Sequence, residues 1–275
     1  MRTGIEVTLA GPAGAVDARQ ALVRLSELLD LLAALEHASV DVHATRRPPA
    51  RSKWTFSDLG LGSVRAALAP LEPRPGASFD DLDQVPLRAV EGFARVEDEE
   101  RLPDGWSVDA ARKARTLAAH FGATPETGMR LALLVNGEQR TAVHVTRRAA
   151  VNLSRALQVR RESIGSLTGR IDSMSLHAKP YAGLWRVRGG NRVIIELPNG
   201  DLVEQARHAL GQRVQVHGRI SRNEAGQILH LRATTIEVLP DESYAPPLTH
   251  LVGADPDITG GMEPVQYLEA LRGSA

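Results

Sequence analysis

The run Val-Gln-Val-His-Gly-Arg-Ile, residues 214–220, is the clearest strand signal in this 275-residue chain. Its apolar residues alternate with polar ones, which is typical of a strand with one buried face. The same alternation occurs in Leu-Thr-Gly-Arg-Ile-Asp-Ser, residues 167–173, and in Arg-Val-Ile-Ile-Glu, residues 192–196. With two further short runs, the stretch from Gly165 to Leu239 predicts five strands.

A helix is predicted between the third and the fourth of these strands. The turn Pro-Asn-Gly (198–200) ends the third strand, and the helix runs over residues 201–209 before Gly211, which suits a helix end. The last two strands meet at a turn at residues 223–226. One helix after the third of five strands is the order of an OB-like β-barrel, and another small Greek-key barrel is the alternative. We predict this barrel over residues 160–240.

The residues before the barrel, 1–159, predict an α+β domain. Leucines recur at spacings of three and four between residues 17 and 37, which indicates a helix with a wide apolar face. Asn-Gly at 136–137 is a strong hairpin signal. The predicted elements are strands at 3–10, 39–46, 53–58 and 61–68, helices at 17–37, after the cap Ser78, at 107–121 and at 148–159, and the strands on each side of Asn136-Gly137.

The last segment, residues 241–275, is predicted to be an extended tail rich in Pro and Gly that ends in a short amphipathic helix. Pro264 suits a first helical turn and Gly273 suits a helix end. A helix of about ten residues does not persist alone in water, so we expect it to dock, either on its own chain or on a partner. The predicted partner-binding residues are Met262, Val265, Tyr267, Leu268, Leu271 and Arg272.

The sequence shows no catalytic signature. Cys is absent, which excludes disulfides, thiolate nucleophiles and zinc sites built on sulfur. The nine His residues show no metal-ligand spacing, and the chain lacks nucleophile and phosphate-binding motifs. We therefore predict a protein that is not an enzyme and holds no metal or cofactor. No run is long enough for a membrane span and the start does not resemble a signal peptide, so we expect a cytoplasmic protein.

Formal net charge is +0, but the charges are not evenly spread. Twelve Arg and Lys residues against seven acidic ones make residues 160–240 basic, whereas the tail is acidic. OB folds bind single strands with a basic groove and stacking aromatic rings. The predicted nucleic-acid-binding residues are Trp185, Arg186, Arg188, Arg192, Arg219 and Arg222. A buried tryptophan surrounded by solvated arginines is the alternative interpretation.

The tail from Asp257 to Gly273 is similar to the C-terminal segments of bacterial antitoxins that wrap PIN-domain ribonuclease toxins. The whole chain loosely resembles bacterial two-domain proteins with an α+β front and an OB-like barrel behind. The antitoxin resemblance implies a PIN-type nuclease as partner, with Arg272 reaching its catalytic carboxylates. We thus carry two hypotheses, a regulatory protein whose tail docks on a protein partner, and a single-stranded nucleic-acid-binding protein that uses the barrel.

Overall fold

The computed structural model describes residues 2–9, 17–37, 51–60, 64–75, 77–176, 179–186, 192–240, 259 and 261–273. Two compact units are present, Met1–Val238 and Leu239–Ala275. The first unit combines helices with two separate sheets, which confirms the α+β class. Among the described residues, no helix is long and apolar enough to cross a membrane.

The first sheet has five antiparallel strands in the order β2-β3-β1-β4-β5, with β1 at its centre. Ile5 and Val7 of β1 are buried in an apolar core that also contains residues of four helices. The elements of this part are β1 (Thr3–Leu9), α1 (Ala18–His37), β2 (Lys53–Gly60), β3 (Arg65–Glu72), α2 (Phe79–Asp98), α3 (Val108–Ala118), a 3₁₀ turn (Pro125–Thr127), β4 (Met129–Val135), β5 (Glu138–Val145) and α4 (Arg147–Ala156).

Local signals place most of these elements. Ser78 accepts a hydrogen bond from the Asp81 backbone N–H, and Asp81 accepts one from the Ser78 N–H, so the predicted cap begins α2. Asn136 and Gly137 adopt positive φ angles of 52° and 84°, which confirms the hairpin between β4 and β5.

The strand predicted at 61–68 ends later than expected, since β3 covers Arg65–Glu72, and residues 61–63 lie outside the described residues. Pro70 lies within β3, but beyond the part of β3 that pairs with β1. Because β1 is not paired with β3 at this position, the missing N–H of Pro70 leaves no hydrogen bond between β1 and β3 unmade. The strand predicted at 39–46 lies outside the described residues.

The second sheet is a closed barrel with the strand order β10-β8-β7-β6-β9, and β9 pairs with β10 to close it. All pairs are antiparallel except β8 with β10. The predicted helix lies between the third and fourth strands. The elements are β6 (Arg161–Ser175), β7 (Tyr181–Arg186), β8 (Arg192–Glu196), α5 (Gly200–His208), β9 (Arg213–Arg222) and β10 (Ile228–Val238).

Each sheet has its own apolar core, and the β9–β10 turn joins the two. Asn223 is fully buried and donates a hydrogen bond to the Ala156 carbonyl at the end of α4, at 2.9 Å. The Gln227 side chain accepts from the Leu102 N–H and donates to the Leu102 carbonyl, both at 2.8 Å. Leu229, the second residue of β10, packs into the core of the first sheet.

In the second unit, α6 covers Pro264–Gly273, so the predicted tail helix is confirmed. Met262 and Val265 are 45% and 61% exposed, and Tyr267 is half-buried. The side chains of Leu268, Leu271 and Arg272 lie outside the described part of the chain.

Candidate functional site

One row of side chains crosses four neighbouring strands of the barrel. Arg192 in β8 is opposite Trp185 in β7, Trp185 is opposite Arg170 in β6, and Arg170 is opposite Arg213 in β9. Residues opposite each other in antiparallel strands share one face, with Cβ atoms about 4.5–5.5 Å apart. We call Arg192, Trp185, Arg170 and Arg213 the transverse row.

The transverse row lies on the outside of the barrel. Leu184 precedes Trp185 in β7 and Ile171 follows Arg170 in β6. Both are fully buried in the barrel core. Because successive side chains of a strand point to opposite faces, Trp185 and Arg170 point outward. Trp185 is half-buried and Arg170 is exposed. The row therefore offers an aromatic ring between positive charges at the surface.

Arg170 and Arg213 place two positive charges directly opposite each other. Like charges directly opposite each other destabilise a sheet pair. Three of the four residues of the transverse row are therefore arginines, on both sides of one aromatic ring.

Arg192, at the end of the row, forms an ion pair with a buried carboxylate. Its Nε donates to Asp172 Oδ2 at 2.7 Å, and the side chains are 20% and 2% exposed. Its Nη2 also donates to Ser173 Oγ, and Ser173 donates to Asp172 Oδ1 at 2.8 Å. The pairing of β6 with β7 shifts by one residue at Asp172, as in a β-bulge.

The backbone beneath this ion pair belongs to Gly183 in β7. A Cβ atom built there would lie 2.3 Å from Arg192 Nη2 and 2.3 Å from Asp172 Oδ1. Both contacts are far shorter than van der Waals distance. Glycine thus leaves the space in which the Arg192 guanidinium rests on the sheet.

The other predicted nucleic-acid residues are not gathered around Trp185. Arg219 pairs with Glu162 at 3.1 Å, and Arg222 Nη1 donates to the Gly226 carbonyl at 3.1 Å. Arg186 follows Trp185 directly in β7 and is opposite Gly169, so strand alternation assigns it to the other face. Arg188 lies outside the described residues.

Two important residues, Arg170 and Asp172, were missed by sequence reasoning. The alternation of Leu167, Gly169 and Ile171 as inward residues already implied that Arg170 faces outward. Its position beside Trp185, however, depends on the pairing of two strands, which the sequence pattern does not give. Asp172 occupies a polar position of the same alternating run, so the sequence carries no signal that sets it apart.

Within the described residues, no group of three or more His, Asp or Glu side chains could hold a metal ion. The chain matches no protein-family model and no curated protein sequence. The candidate site therefore stands on its geometry alone.

Proposed function

We propose that the barrel is OB-like and that its outer face, centred on Trp185, binds single-stranded nucleic acid. Support comes from the order of its elements, with α5 between the third and fourth strands. OB folds bind oligonucleotides on the face of their second and third strands, which here are β7 and β8. Trp185 and Arg192 belong to these two strands.

The transverse row is the single observation that carries this proposal. Stacking of a base on an aromatic side chain contributes about 1–3 kcal/mol and depends little on sequence. The exposed Arg170 then lies one strand away from the ring, where the sugar-phosphate backbone of a stacked nucleotide would continue. Tyr181, an exposed ring on the same face of β7, extends the apolar surface toward Glu196.

The test is fluorescence anisotropy with a labelled single-stranded oligonucleotide of mixed sequence, measured over a range of salt concentrations. Trp185→Ala should weaken binding by about tenfold without changing the salt dependence, because it removes stacking and no charge. Arg170→Ala should weaken binding and reduce the slope of log K against log salt by about 0.7, the value for one lost phosphate contact.

Arg112→Ala is the matched control, since it removes one exposed arginine from α3, a helix that packs in the core of the first sheet. It should leave both affinity and slope unchanged. Wild-type protein that does not bind the oligonucleotide at low salt would overturn the proposal. So would Trp185→Ala and Arg170→Ala variants that bind as tightly as Arg112→Ala.

The tail supports a second candidate function, docking on a protein partner such as a PIN-type nuclease. The observation that favours it is the exposure of Met262 and Val265 in the second unit. Val265→Asp should abolish co-purification of a partner from native lysate. Gln266→Glu adds the same charge at the neighbouring exposed position and is the control. Equal partner recovery with wild type and Val265→Asp would exclude docking through this face.

A further inference from the structure

The Arg192 guanidinium is fixed before any ligand binds. Asp172 and Ser173 hold Nε and Nη2 along one edge, and Gly183 lies directly beneath. We infer that these three residues are positioning residues that hold Arg192 as a clamp for one phosphate group of the bound strand. This inference rests on the nucleic-acid function proposed above and deepens it.

The first step concerns the hydrogen-bonding groups that remain. A guanidinium carries five N–H donors in a planar fork. Two of them donate hydrogen bonds within the protein, the one on Nε to Asp172 and one on Nη2 to Ser173. Nη1 has no hydrogen-bond partner among the described residues, and the side chain keeps 20% exposure. The end of the fork formed by Nη1 and Nη2 is left for a ligand, in the geometry that binds a phosphate with two parallel hydrogen bonds.

The second step concerns the cost of the arrangement. A buried ion pair rarely stabilises a fold more than an apolar pair of the same volume, because both charges lose water. Asp172 is 3% exposed, and it occupies a bulge that places it against Arg192. Because Arg192 is already held in one rotamer, ligand binding costs less side-chain entropy. The arrangement therefore has a benefit in binding that it lacks in folding.

The third step concerns position. Arg192 is directly opposite Trp185, and Arg170 is directly opposite Trp185 on its other side. A nucleotide stacked on the ring would thus have a guanidinium one strand away in each direction. Arg192 differs from Arg170 because its orientation is set by the protein, whereas Arg170 is exposed.

One substitution distinguishes a positioning role of Asp172 from a purely structural role, because the two roles predict opposite changes in oligonucleotide affinity. Asp172→Asn removes a negative charge beside the site, so simple electrostatics predicts about twofold tighter binding of the oligonucleotide. If Asp172 positions Arg192, the same substitution weakens binding by about tenfold, the value of a lost charge-assisted hydrogen bond. The sign of the change decides between the two roles.

Ser173→Ala provides a milder test that leaves net charge unchanged and keeps the buried ion pair. It should weaken binding by about threefold through loss of the Nη2 contact. The control is Ser57→Ala, which removes a hydroxyl bonded to the Ala67 carbonyl in the first sheet. Thermal melting of every variant establishes that it is folded at the assay temperature, and Ser173→Ala decides the question if Asp172→Asn does not fold.

All measurements use the full chain and the mixed oligonucleotide. Weaker binding by Asp172→Asn and Ser173→Ala, with Ser57→Ala unchanged, supports the clamp. Tighter binding by Asp172→Asn, or unchanged binding by Ser173→Ala, overturns the clamp while leaving the nucleic-acid function intact. If the wild-type protein does not bind the oligonucleotide at low salt, the proposed nucleic-acid function is itself wrong. This outcome is distinguishable from the other two.

Discussion

Gly92 in α2 should be a position where alanine destabilises the fold, although alanine is the better helix former. A Cβ atom there would lie 2.3 Å from two carbons of the Trp106 ring and 2.4 Å from its Nε1. Trp106 is buried, packs edge-to-face on Phe93 and donates a hydrogen bond to the Arg88 carbonyl at 3.0 Å. The ring cannot move away without losing these contacts.

The expected cost follows from three contributions. Overpacking costs about 3 kcal/mol and the lost Trp106 hydrogen bond about 1 kcal/mol, while the higher helix propensity of alanine returns about 1 kcal/mol. Gly92→Ala should therefore lower the free energy of unfolding by about 3 kcal/mol in urea denaturation followed by circular dichroism. Gly200→Ala is the control, because no atom lies within 4 Å of its added Cβ at the start of α5. A Gly92→Ala protein as stable as Gly200→Ala would refute the reasoning.

Three further substitutions test other contacts. Glu36→Gln should cost about 3–5 kcal/mol in guanidinium denaturation, since it leaves Arg74, 2% exposed, buried without its counter-charge; a cost below 1 kcal/mol would contradict this. Asn223→Ala should cost about 2 kcal/mol by the same assay, because the buried Ala156 carbonyl loses its donor. Ser78→Ala should cost about 1 kcal/mol, seen as a melting temperature several degrees lower, because α2 loses its cap.

Those features that depend on a few neighbouring residues could be predicted from the sequence. The cap at Ser78, the hairpin at Asn136-Gly137 and the helix between β8 and β9 are all local, and all occur as predicted. Strand bounds were less predictable where pairing decides them. Pro70 is tolerated within β3 because the pairing of β3 with β1 ends at Leu68, and only the register of the strands shows this.

The candidate site required the pairing of strands that are distant in sequence. Arg186 follows Trp185 in the chain and was predicted to act with it, but the residue beside the ring is Arg170, fifteen positions earlier. Arg192, also predicted to act with Trp185, lies opposite it, yet its ion pair with Asp172 joins residues twenty apart. Alternation along one strand indicates which side chains face outward. It does not indicate which of them meet across strands.

The contacts of the β9–β10 turn have a consequence for the order in which the chain folds during synthesis. Leu102 and Ala156 emerge from the ribosome well before Asn223, Gln227 and Leu229, which complete their surroundings. Until the β9–β10 turn is made, the first sheet lacks Leu229 from its core and the Ala156 carbonyl lacks its buried donor. Since domains generally fold as units from the N-terminus during synthesis, this chain should reach full protection of its first core only when the barrel is nearly complete. A chain that stalls before residue 229 is thus expected to be an early substrate for chaperones and proteases.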